Sequence, residues 1–365
     1  MSFFKTADTF EVKLDKLLFF AAGWHLPETN KEREFPDEDG KATFVEKSWI
    51  SQWINYREAK KQLKASTDFE SLKKVYYRLE DERSKELFLL LIVFKFMEGI
   101  KIRLPLYFET MSSKVLSGDG DYAKARISDE EISLWNGYAK VQNYDLSKLG
   151  MGDIKIWAST GTLYIDFVRE QYRYKNLVRA EKGDYVIDAG ACWGDTALYF
   201  ADRIGDTGRV FSFEFLPENL DIFSKNMSMN KHLSQQITLI DKAVGEKSGE
   251  TLFFVPNGPG TSVNENESEV SLKVETMSID DLVKSEKLPK VDFVKMDIEG
   301  SEKAALLGAR ETIKTFSPKL AVCIYHRRED FWEIPQVIDA ISPGYKFYID
   351  HHTCGNNETV LYAKK

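Results

Sequence analysis

The stretch of residues 184–200, DYVIDAGACWGDTALYF, constrains the fold of this chain more than any other part of its sequence. An apolar run after Asp184 predicts a buried strand, the small residues that follow predict a tight turn, and a helix is expected to begin near Asp195. Small residues in such a turn let a ligand approach the backbone, and the amide groups at the start of the helix then face that ligand. Strand, turn and helix together indicate the first unit of a nucleotide-binding α/β sheet.

The spacing inside this turn indicates which cofactor the unit binds. A dinucleotide-binding turn follows the pattern Gly-x-Gly-x-x-Gly, which seats a pyrophosphate. Here Asp188 ends the strand, and Cys192 occupies the place of a middle glycine. An acidic residue before a looser turn suits a cofactor with an ammonium group and no phosphate, which describes S-adenosylmethionine. The residues of this segment that we expect to contact the cofactor are Asp188, Gly190, Ala191, Gly194 and Thr196.

Two further strands are predicted to complete the cofactor site. Residues 208–214 form an apolar strand ending in Glu214, which can accept hydrogen bonds from both ribose hydroxyls of a nucleoside. Residues 236–244 form a third strand, and Asp241 and Ala243 near its end fall where an adenine would lie. An acid like Glu214 also serves NAD, so an NAD-dependent sugar-modifying oxidoreductase is an alternative. The missing glycine at position 192 and the absence of a Tyr-x-x-x-Lys pair after the fourth strand argue against it.

Strands and helices alternate from residue 184 onward, which predicts a doubly wound, mainly parallel α/β sheet. We interpret residues 1–150 as a separate, mostly helical domain for an accessory, oligomerisation or acceptor-binding role, and residues 151–365 as the cofactor-binding domain. An aromatic helix is expected over residues 167–177, just before the cofactor strand. Two stretches with strand character, 251–255 and 271–277, flank a loop rich in Gly, Pro and Asn.

Composition narrows the class of protein. The 365 residues carry a formal net charge of −8, whereas a nucleic-acid-binding protein usually shows a basic face. The longest apolar run is far shorter than the roughly 20 residues that cross a bilayer. The three cysteines have no metal-binding spacing, and they favour a reducing, cytoplasmic compartment.

Polar residues gather at the expected carboxyl ends of the fourth and fifth strands, where ligands of open α/β sheets bind. Residues 291–297 form the fourth strand, with Asp297 at its end and Glu299 just beyond, and His326 follows the fifth strand. Methyl transfer needs an aligned nucleophile and a group that takes its proton. His326 suits that base, because its ordinary pKa lies near 6.5. Lys295 shares a strand face with Asp297 and could orient it through an ion pair, or it could approach the acceptor atom itself.

Each of these residues also has a different interpretation. Asp297 could hold the amino group of the cofactor, Lys295 could pair with Asp188, and His326 could be a structural histidine. Glu299 could cap the following helix, where acidic residues are favoured. A divalent metal held by Asp297, Glu299 and His326 is another way to activate the nucleophile, and the sequence does not separate base from metal. His351 and His352 are expected to be surface or rim residues.

Four stretches of the chain resemble the FkbM-type family of S-adenosylmethionine-dependent O-methyltransferases. The third is the most specific, because Lys-x-Asp-x-Glu-Gly with a further Glu is close to a family signature. The family more often has Asn at the place of Cys192 and Pro at the place of Phe215. The four stretches are 186–191 with Gly194, 213–215 with Pro217, Glu218 and Asn219, 293–300 with Glu302, and 325–326.

This resemblance implies a class I methyltransferase sheet with a reversed last strand, and it adds Phe215 and Asn219 to the residues expected at the cofactor. It also implies methylation of a hydroxyl on a sugar, glycan or polyketide-like acceptor. We therefore expect a small-molecule or glycan acceptor, no nucleic-acid partner, and a chain that is compatible with a homo-oligomer. A catalytically silent cofactor-binding scaffold is the remaining alternative, and the intact polar residues at the strand ends argue against it.

Overall fold

The computed structural model describes residues 8–22, 24–25, 45–46, 49–96, 120–255, 261, 263–264, 272–353 and 355–365. Most of the loop predicted between residues 255 and 271 lies outside these residues. The chain divides into two compact units, one comprising Met1–Thr110 with Lys346–Thr359 and the other Met111–Tyr345 with Val360–Lys365. None of the described helices combines the length and apolar character that a membrane span requires.

The secondary structure of the described residues is as follows. The strands are β1 (Trp24–His25), β2 (Val45–Glu46), β3 (Arg126–Leu134), β4 (Ala139–Asp145), β5 (Lys155–Ala158), β6 (Tyr185–Ala189), β7 (Arg209–Phe213), β8 (Ile237–Ile240), β9 (Ala243–Val244), β10 (Thr251–Phe254), β11 (Val263–Asn264), β12 (Leu272–Met277), β13 (Phe293–Met296), β14 (Lys319–Cys323), β15 (Lys346–His351) and β16 (Thr359–Lys364). The helices are α1 (Phe10–Ala22), α2 (Trp49–Ser66), α3 (Phe69–Arg78), α4 (Glu82–Phe96), α5 (Asp121–Ala125), α6 (Thr160–Thr162, continued by a π-helix over Leu163–Val168), α7 (Asp195–Ile204), α8 (Pro217–Met229), α9 (Lys231–Ser234), α10 (Ile279–Ser285), α11 (Glu302–Leu307), α12 (Arg310–Phe316) and α13 (Asp330–Ile341).

The first unit contains α1 to α4, β1, β2 and β15, and most of its described residues before Lys346 are helical. The helix α4 packs against β15 through polar contacts as well as through its apolar side chains. The Arg83 guanidinium donates two hydrogen bonds to the Asp350 carboxylate, at 2.9 and 3.0 Å. The Ser84 hydroxyl accepts from the backbone N–H of Ile349 at 3.1 Å. These contacts fix the register of β15 against the helix.

His351 and His352 are buried, with 0% and 3% of their surface exposed, so the expectation that they lie at the surface was wrong. The reason is that His351 ends β15 and His352 directly follows it, and the side chains from Phe347 to Asp350 on this strand are also buried. The His351 Nδ1 lies 2.8 Å from the hydroxyl of Thr359. Burial, and to a lesser extent the charges of Lys95 and His352, lower the pKa of His351 to about 3.

This burial predicts a loss of stability in acid. The folded pKa of His351 lies below the ordinary value of 6.5. The stability of the fold with a neutral His351 is therefore fully present above pH 6.5 and is lost as the pH falls towards 3. At pH 5 the loss is about 2 kcal/mol. We expect His351→Gln to weaken the pH dependence of the urea midpoint between pH 7.5 and 5, and exposed His232→Gln to leave it unchanged. Identical pH dependence in His351→Gln and the parent chain would contradict this account.

The second unit is organised around a sheet whose strands in this unit lie in the order β16-β14-β13-β6-β7-β8. The neighbours from β14 to β8 are parallel, and β16 runs antiparallel to β14. The strand β6 is almost completely buried, as expected of a parallel strand covered on both faces. The mainly parallel sheet and the reversed last strand are therefore confirmed.

The strand order creates a switch point beside β6. The chain proceeds from β6 to β7 and β8 on one side, and it later returns to β13 on the other side of β6. In sheets of this kind a ligand crevice forms outside the carboxyl ends of the strands, where the direction of winding reverses. The strand order therefore places the expected ligand position between the end of β6 and the end of β13.

Three details differ from the sequence-based expectation. The antiparallel sheet β3-β4-β5 belongs to the second unit, so the boundary predicted at residue 150 falls inside this unit. The helix expected over residues 167–177 ends at Val168, because the chain turns at Glu170, whose carboxylate accepts hydrogen bonds from Tyr199 and Arg203. The strand expected over residues 236–244 is divided into β8, which pairs with β7, and β9, which pairs with β12.

Candidate active site

The turn after β6 brings the predicted cofactor segment into contact with Asp297. The backbone N–H groups of Gly190 and Ala191 donate to the carbonyl oxygen of Phe213, at 3.1 and 2.9 Å. Gly190 has a φ of +85°, and a Cβ atom at this position would lie 1.9 Å from the carbonyl oxygen of Asp297. The N–H of Asp297 in turn donates to the carbonyl of Ala189 at 3.1 Å. Only glycine fits at this crossing of two backbones.

The outer side of the turn is held by tryptophan packing. Gly194 has a φ of +77° and precedes α7, while the buried Trp193 stacks on Trp135 with ring centroids 5.4 Å apart and planes inclined by 21°. The Asn226 side chain donates to the carbonyl oxygen of Trp193 at 2.8 Å. Trp135 was not predicted as part of this region, because it lies on a hairpin far from the turn in sequence.

A buried ion pair supports the turn from the sheet. The Lys295 ammonium lies 3.2 Å from the Asp188 carboxylate, and it donates to the carbonyl oxygens of Ala189 and Gly190. The hydroxyl of Thr196 donates to the other oxygen of Asp188 at 2.8 Å. Burial alone would lower the pKa of Lys295, but the charges of Asp188 and Asp297 raise it above its ordinary value. Asp188 and Thr196 are almost fully buried, so their contacts hold the turn in place.

Glu214 directly follows the carboxyl end of β7, in a buried position. One carboxylate oxygen accepts from the N–H groups of Phe215 and Leu216, at 2.7 and 2.8 Å, and the other accepts from the Asn219 amide at 3.1 Å. Burial raises the pKa of Glu214, although these hydrogen bonds oppose the shift. The Asn219 Oδ1 is buried and has no hydrogen-bond partner among the described residues. A ligand hydroxyl can donate to this oxygen.

The third predicted strand is divided into β8 and β9, and this division separates the residues that were predicted near an adenine. Ala243 is buried in an apolar cluster with Leu216, Phe254 and Val274, and the half-buried Phe215 packs against that cluster. The Phe215 ring meets Phe254 edge-on, with centroids 5.0 Å apart. Asp241 is exposed beyond the end of β8. The structure thus brings Phe215 and Ala243 together and leaves Asp241 apart from them.

Asp297 is the centre of a polar group at the end of β13. The hydroxyls of Tyr172 and Tyr325 donate to its two carboxylate oxygens, at 2.8 and 3.1 Å, and the His326 Nε2 lies 3.4 Å away. Burial would raise the pKa of Asp297, but the charges of His326 and Lys295 and the two tyrosine hydroxyls lower it. Neither tyrosine was predicted as a site residue. Tyr172 lies in the segment expected to precede the cofactor strand, which is the signal that could have indicated it.

His326 lies between three carboxylates, with 6% of its side chain exposed. Its Nδ1 is 2.9 Å from Glu302, and its Nε2 is 3.4 Å from Glu299. Burial disfavours the imidazolium, yet Glu302, Asp297 and Glu299 raise the pKa of His326 to about 9. These surroundings favour a protonated ring at neutral pH, and that form cannot accept a proton.

Glu299 and Glu302 differ in their access to solvent. Glu299 has 33% of its side chain exposed and a φ of +54°, followed by Gly300 at +92°. Burial raises the pKa of Glu299 to about 7, and the charge of His326 opposes that rise. Glu302 is fully buried at the start of α11, where it accepts from the N–H of Ile298 at 2.9 Å.

Within the described part of the chain, the side chains of Asp297, Glu302 and His326 each offer a donor atom within 4.8 Å of the other two. The metal set considered from the sequence has Glu299 in place of Glu302. Glu302 takes the place of Glu299 in this group because its carboxylate folds back to accept from the N–H of Ile298. The left-handed turn carries Glu299 towards solvent.

The strand order and directions of the sheet are those of the class I methyltransferase fold. The crystal structure of methyltransferase FkbM from Methylobacillus flagellatus KT has this fold, with a TM-score of 0.52 and 20% identity over 81% of this chain and 58% of that chain. Residues 181–350 match the sequence model described as the methyltransferase FkbM domain. These residues form a methyltransferase domain of the FkbM family, as the four sequence stretches predicted.

Two curated relatives also carry methyltransferase names. The hexuronic acid methyltransferase AglP of Haloferax volcanii is 26% identical over 139 residues, which are 38% of this chain and 55% of that protein. The chloroplastic 2-phytyl-1,4-beta-naphthoquinone methyltransferase of Arabidopsis thaliana is 27% identical over 104 residues, which are 28% of this chain and 35% of that protein. The matches span about half of the first relative and about a third of the second.

Proposed function

We propose that this protein transfers a methyl group from S-adenosylmethionine to a hydroxyl oxygen of a small-molecule or glycan acceptor. The observation that carries the proposal is the contact between the Gly190 turn and Asp297 at the switch point of the sheet. The proposed cofactor turn and the polar group that would receive the acceptor share one crevice there. A hexuronic acid methyltransferase among the relatives supports a carbohydrate acceptor.

The residues around the crevice fit this cofactor. Glu214 and Asn219 would bind the ribose hydroxyls, and the buried, unpaired Oδ1 of Asn219 supports this assignment. Phe215 and Ala243 would line the adenine, with Asp241 at the exposed edge. The backbone of Gly190, Ala191 and Gly194 would contact the methionine portion, with Asp297 available for its amino group. Asp188, Thr196 and Lys295 would act beneath the turn as positioning residues.

Bound S-adenosylmethionine supplies an electrophilic methyl carbon, which the acceptor oxygen attacks as the carbon–sulfur bond breaks and leaves S-adenosylhomocysteine. The protein has to align the hydroxyl and to take its proton. Glu299 suits the second task, because its carboxylate is the accessible one in a group whose other members are more deeply buried. His326 would hold Glu299 and Asp297 in place by its charge.

The direct test is transfer of a labelled methyl group from S-adenosylmethionine to a panel of hydroxylated acceptors, including uronic acids and glycan extracts. In parallel, S-adenosylhomocysteine should raise the melting temperature of the full chain, and NAD should not. Stabilisation by NAD alone would overturn the proposal in favour of the oxidoreductase alternative. Stabilisation by S-adenosylhomocysteine without transfer to any acceptor would favour the silent scaffold.

Glu299→Gln is expected to lower kcat by about a hundredfold or more, because the amide cannot take the proton of the acceptor. Binding of S-adenosylhomocysteine, followed by thermal shift, should stay unchanged. The matched control is Glu329→Gln, an exposed carboxyl three residues after His326. Equal activity of the two variants would exclude Glu299 as the proton acceptor.

A further inference from the structure

We propose that Asp297, Glu302 and His326 form a site for one divalent cation. The inference rests on the proposed function for its role, since a cation at this place would polarise the acceptor oxygen beside the methyl group. The site itself rests on the geometry of the second unit alone. It can therefore be tested in the absence of cofactor and acceptor.

The three side chains are brought together by three different elements. Asp297 follows β13, Glu302 begins α11, and His326 follows β14, and their donor atoms lie within 4.8 Å of one another. Two carboxylates and an imidazole form a mixed oxygen and nitrogen donor set, which suits ions such as Mn²⁺ and Zn²⁺. Because the donor atoms already lie this close, a small movement of the side chains would assemble the donor set.

The distance between His326 and Asp297 also resembles an edge of a coordination shell. The His326 Nε2 lies 3.4 Å from the Asp297 carboxylate, which is longer than an ordinary N–H···O hydrogen bond. Two ligands that each bind an ion at about 2.1 Å are themselves separated by roughly 3.0–3.5 Å. Glu299, on the solvent side, is then placed to approach the acceptor.

A separate observation is a buried carboxylate oxygen for which the described residues provide no hydrogen-bond partner. Glu302 has no exposed surface; one of its oxygens accepts from Ile298, and the other, Oε2, is buried with no hydrogen-bond partner among the described residues. A buried charged oxygen without a partner is unfavourable. Lys295 interacts most closely with Asp188 and two backbone carbonyls. A cation between Glu302, Asp297 and His326 would satisfy the free oxygen.

In the competing explanation the site binds no metal, and a protonated His326 balances the charge of the carboxylates. The two explanations differ in whether the full chain takes up metal. We expect electron paramagnetic resonance to show loss of the free Mn²⁺ signal at about one ion per chain, and Zn²⁺ to compete for the same site. Glu302→Gln and His326→Gln should each weaken Mn²⁺ binding at least tenfold. Glu333→Gln, whose surface carboxylate pairs with Lys303, should bind as the parent chain does.

Folding of each variant is checked by circular dichroism, and His326→Gln provides the test if Glu302→Gln does not fold. The proposal is overturned if neither metal binds at millimolar concentration, or if both variants bind Mn²⁺ like the parent. Thermal shift with S-adenosylhomocysteine is measured on the same protein. If the chain transfers methyl groups but takes up no metal, the cation site is rejected and the proposed function stands. A chain that binds Mn²⁺ but not S-adenosylhomocysteine rejects the proposed function and leaves the cation site standing.

Discussion

Gly190→Ala is expected to abolish the thermal stabilisation by S-adenosylhomocysteine and to destabilise the fold strongly. An alanine at a left-handed φ costs about 1–2 kcal/mol by itself. Here its Cβ would also lie 1.9 Å from the carbonyl oxygen of Asp297, so either the turn or the end of β13 has to move. Both belong to the proposed crevice, and the loss of binding should therefore exceed the loss expected from backbone strain alone.

Gly205→Ala is the matched control for this experiment. Gly205 also has a left-handed φ, of +64°, but a Cβ atom there meets nothing within 4 Å. Both variants thus place an alanine at a positive φ, and only Gly190→Ala adds the clash. Urea unfolding and thermal shift with S-adenosylhomocysteine compare them directly. If Gly190→Ala bound the cofactor analogue as well as Gly205→Ala does, the close approach of the turn to Asp297 would have no role in the site.

Lys295→Met is expected to lower the free energy of unfolding by about 3–5 kcal/mol. The lysine has 1% of its surface exposed and Asp188 has none, so the substitution leaves a buried carboxylate without its ionic partner. The carbonyl oxygens of Ala189 and Gly190 lose a donor at the same time. Urea denaturation measures the change, and weaker binding of S-adenosylhomocysteine should accompany it because these carbonyls form the turn.

The double variant Lys295→Met with Asp188→Asn separates the ion pair from the packing of the lysine. It should recover part of the lost stability, because the buried charge is removed with its partner. Lys290→Met serves as the control, since Lys290 pairs with Asp292 at the surface and such pairs contribute about 0–1 kcal/mol. Equal destabilisation by Lys290→Met and Lys295→Met would refute the ion-pair account.

The sequence predicted the sheet because its signals are local. The buried apolar runs before Asp188 and Asp297, and the small residues between β6 and α7, identify strands and a turn without knowledge of the rest of the chain. Parallel strands covered on both faces must be apolar throughout, and this pattern is hard to produce by any other element. The carboxyl-end positions of Glu214, Asp297 and His326 followed from the same logic.

The parts that the sequence did not predict depend on contacts between distant residues. Tyr172 reaches Asp297 across 125 positions of the chain, and nothing near Tyr172 in sequence indicates that partner. The exposed Asp241 lies at a break that exists because β9 pairs with β12 and not with β7. His326 looked like a base from its ordinary pKa, whereas its ionisation depends on three carboxylates that the fold brings around it.

Changes in sequence at the switch point and changes in the chain between its two sides have different consequences for the site. Gly190 and Asp297 meet in space, but the polypeptide between them builds β7, β8 and the four-stranded sheet of β9 to β12 before it returns. Because the crossing is held by β6, β13 and the carbonyl of Phe213 at the end of β7, insertions or deletions between β8 and β13 can lengthen, shorten or reshape that excursion without altering the crossing. Relatives of this chain can therefore diverge widely in that excursion while inheriting the same junction.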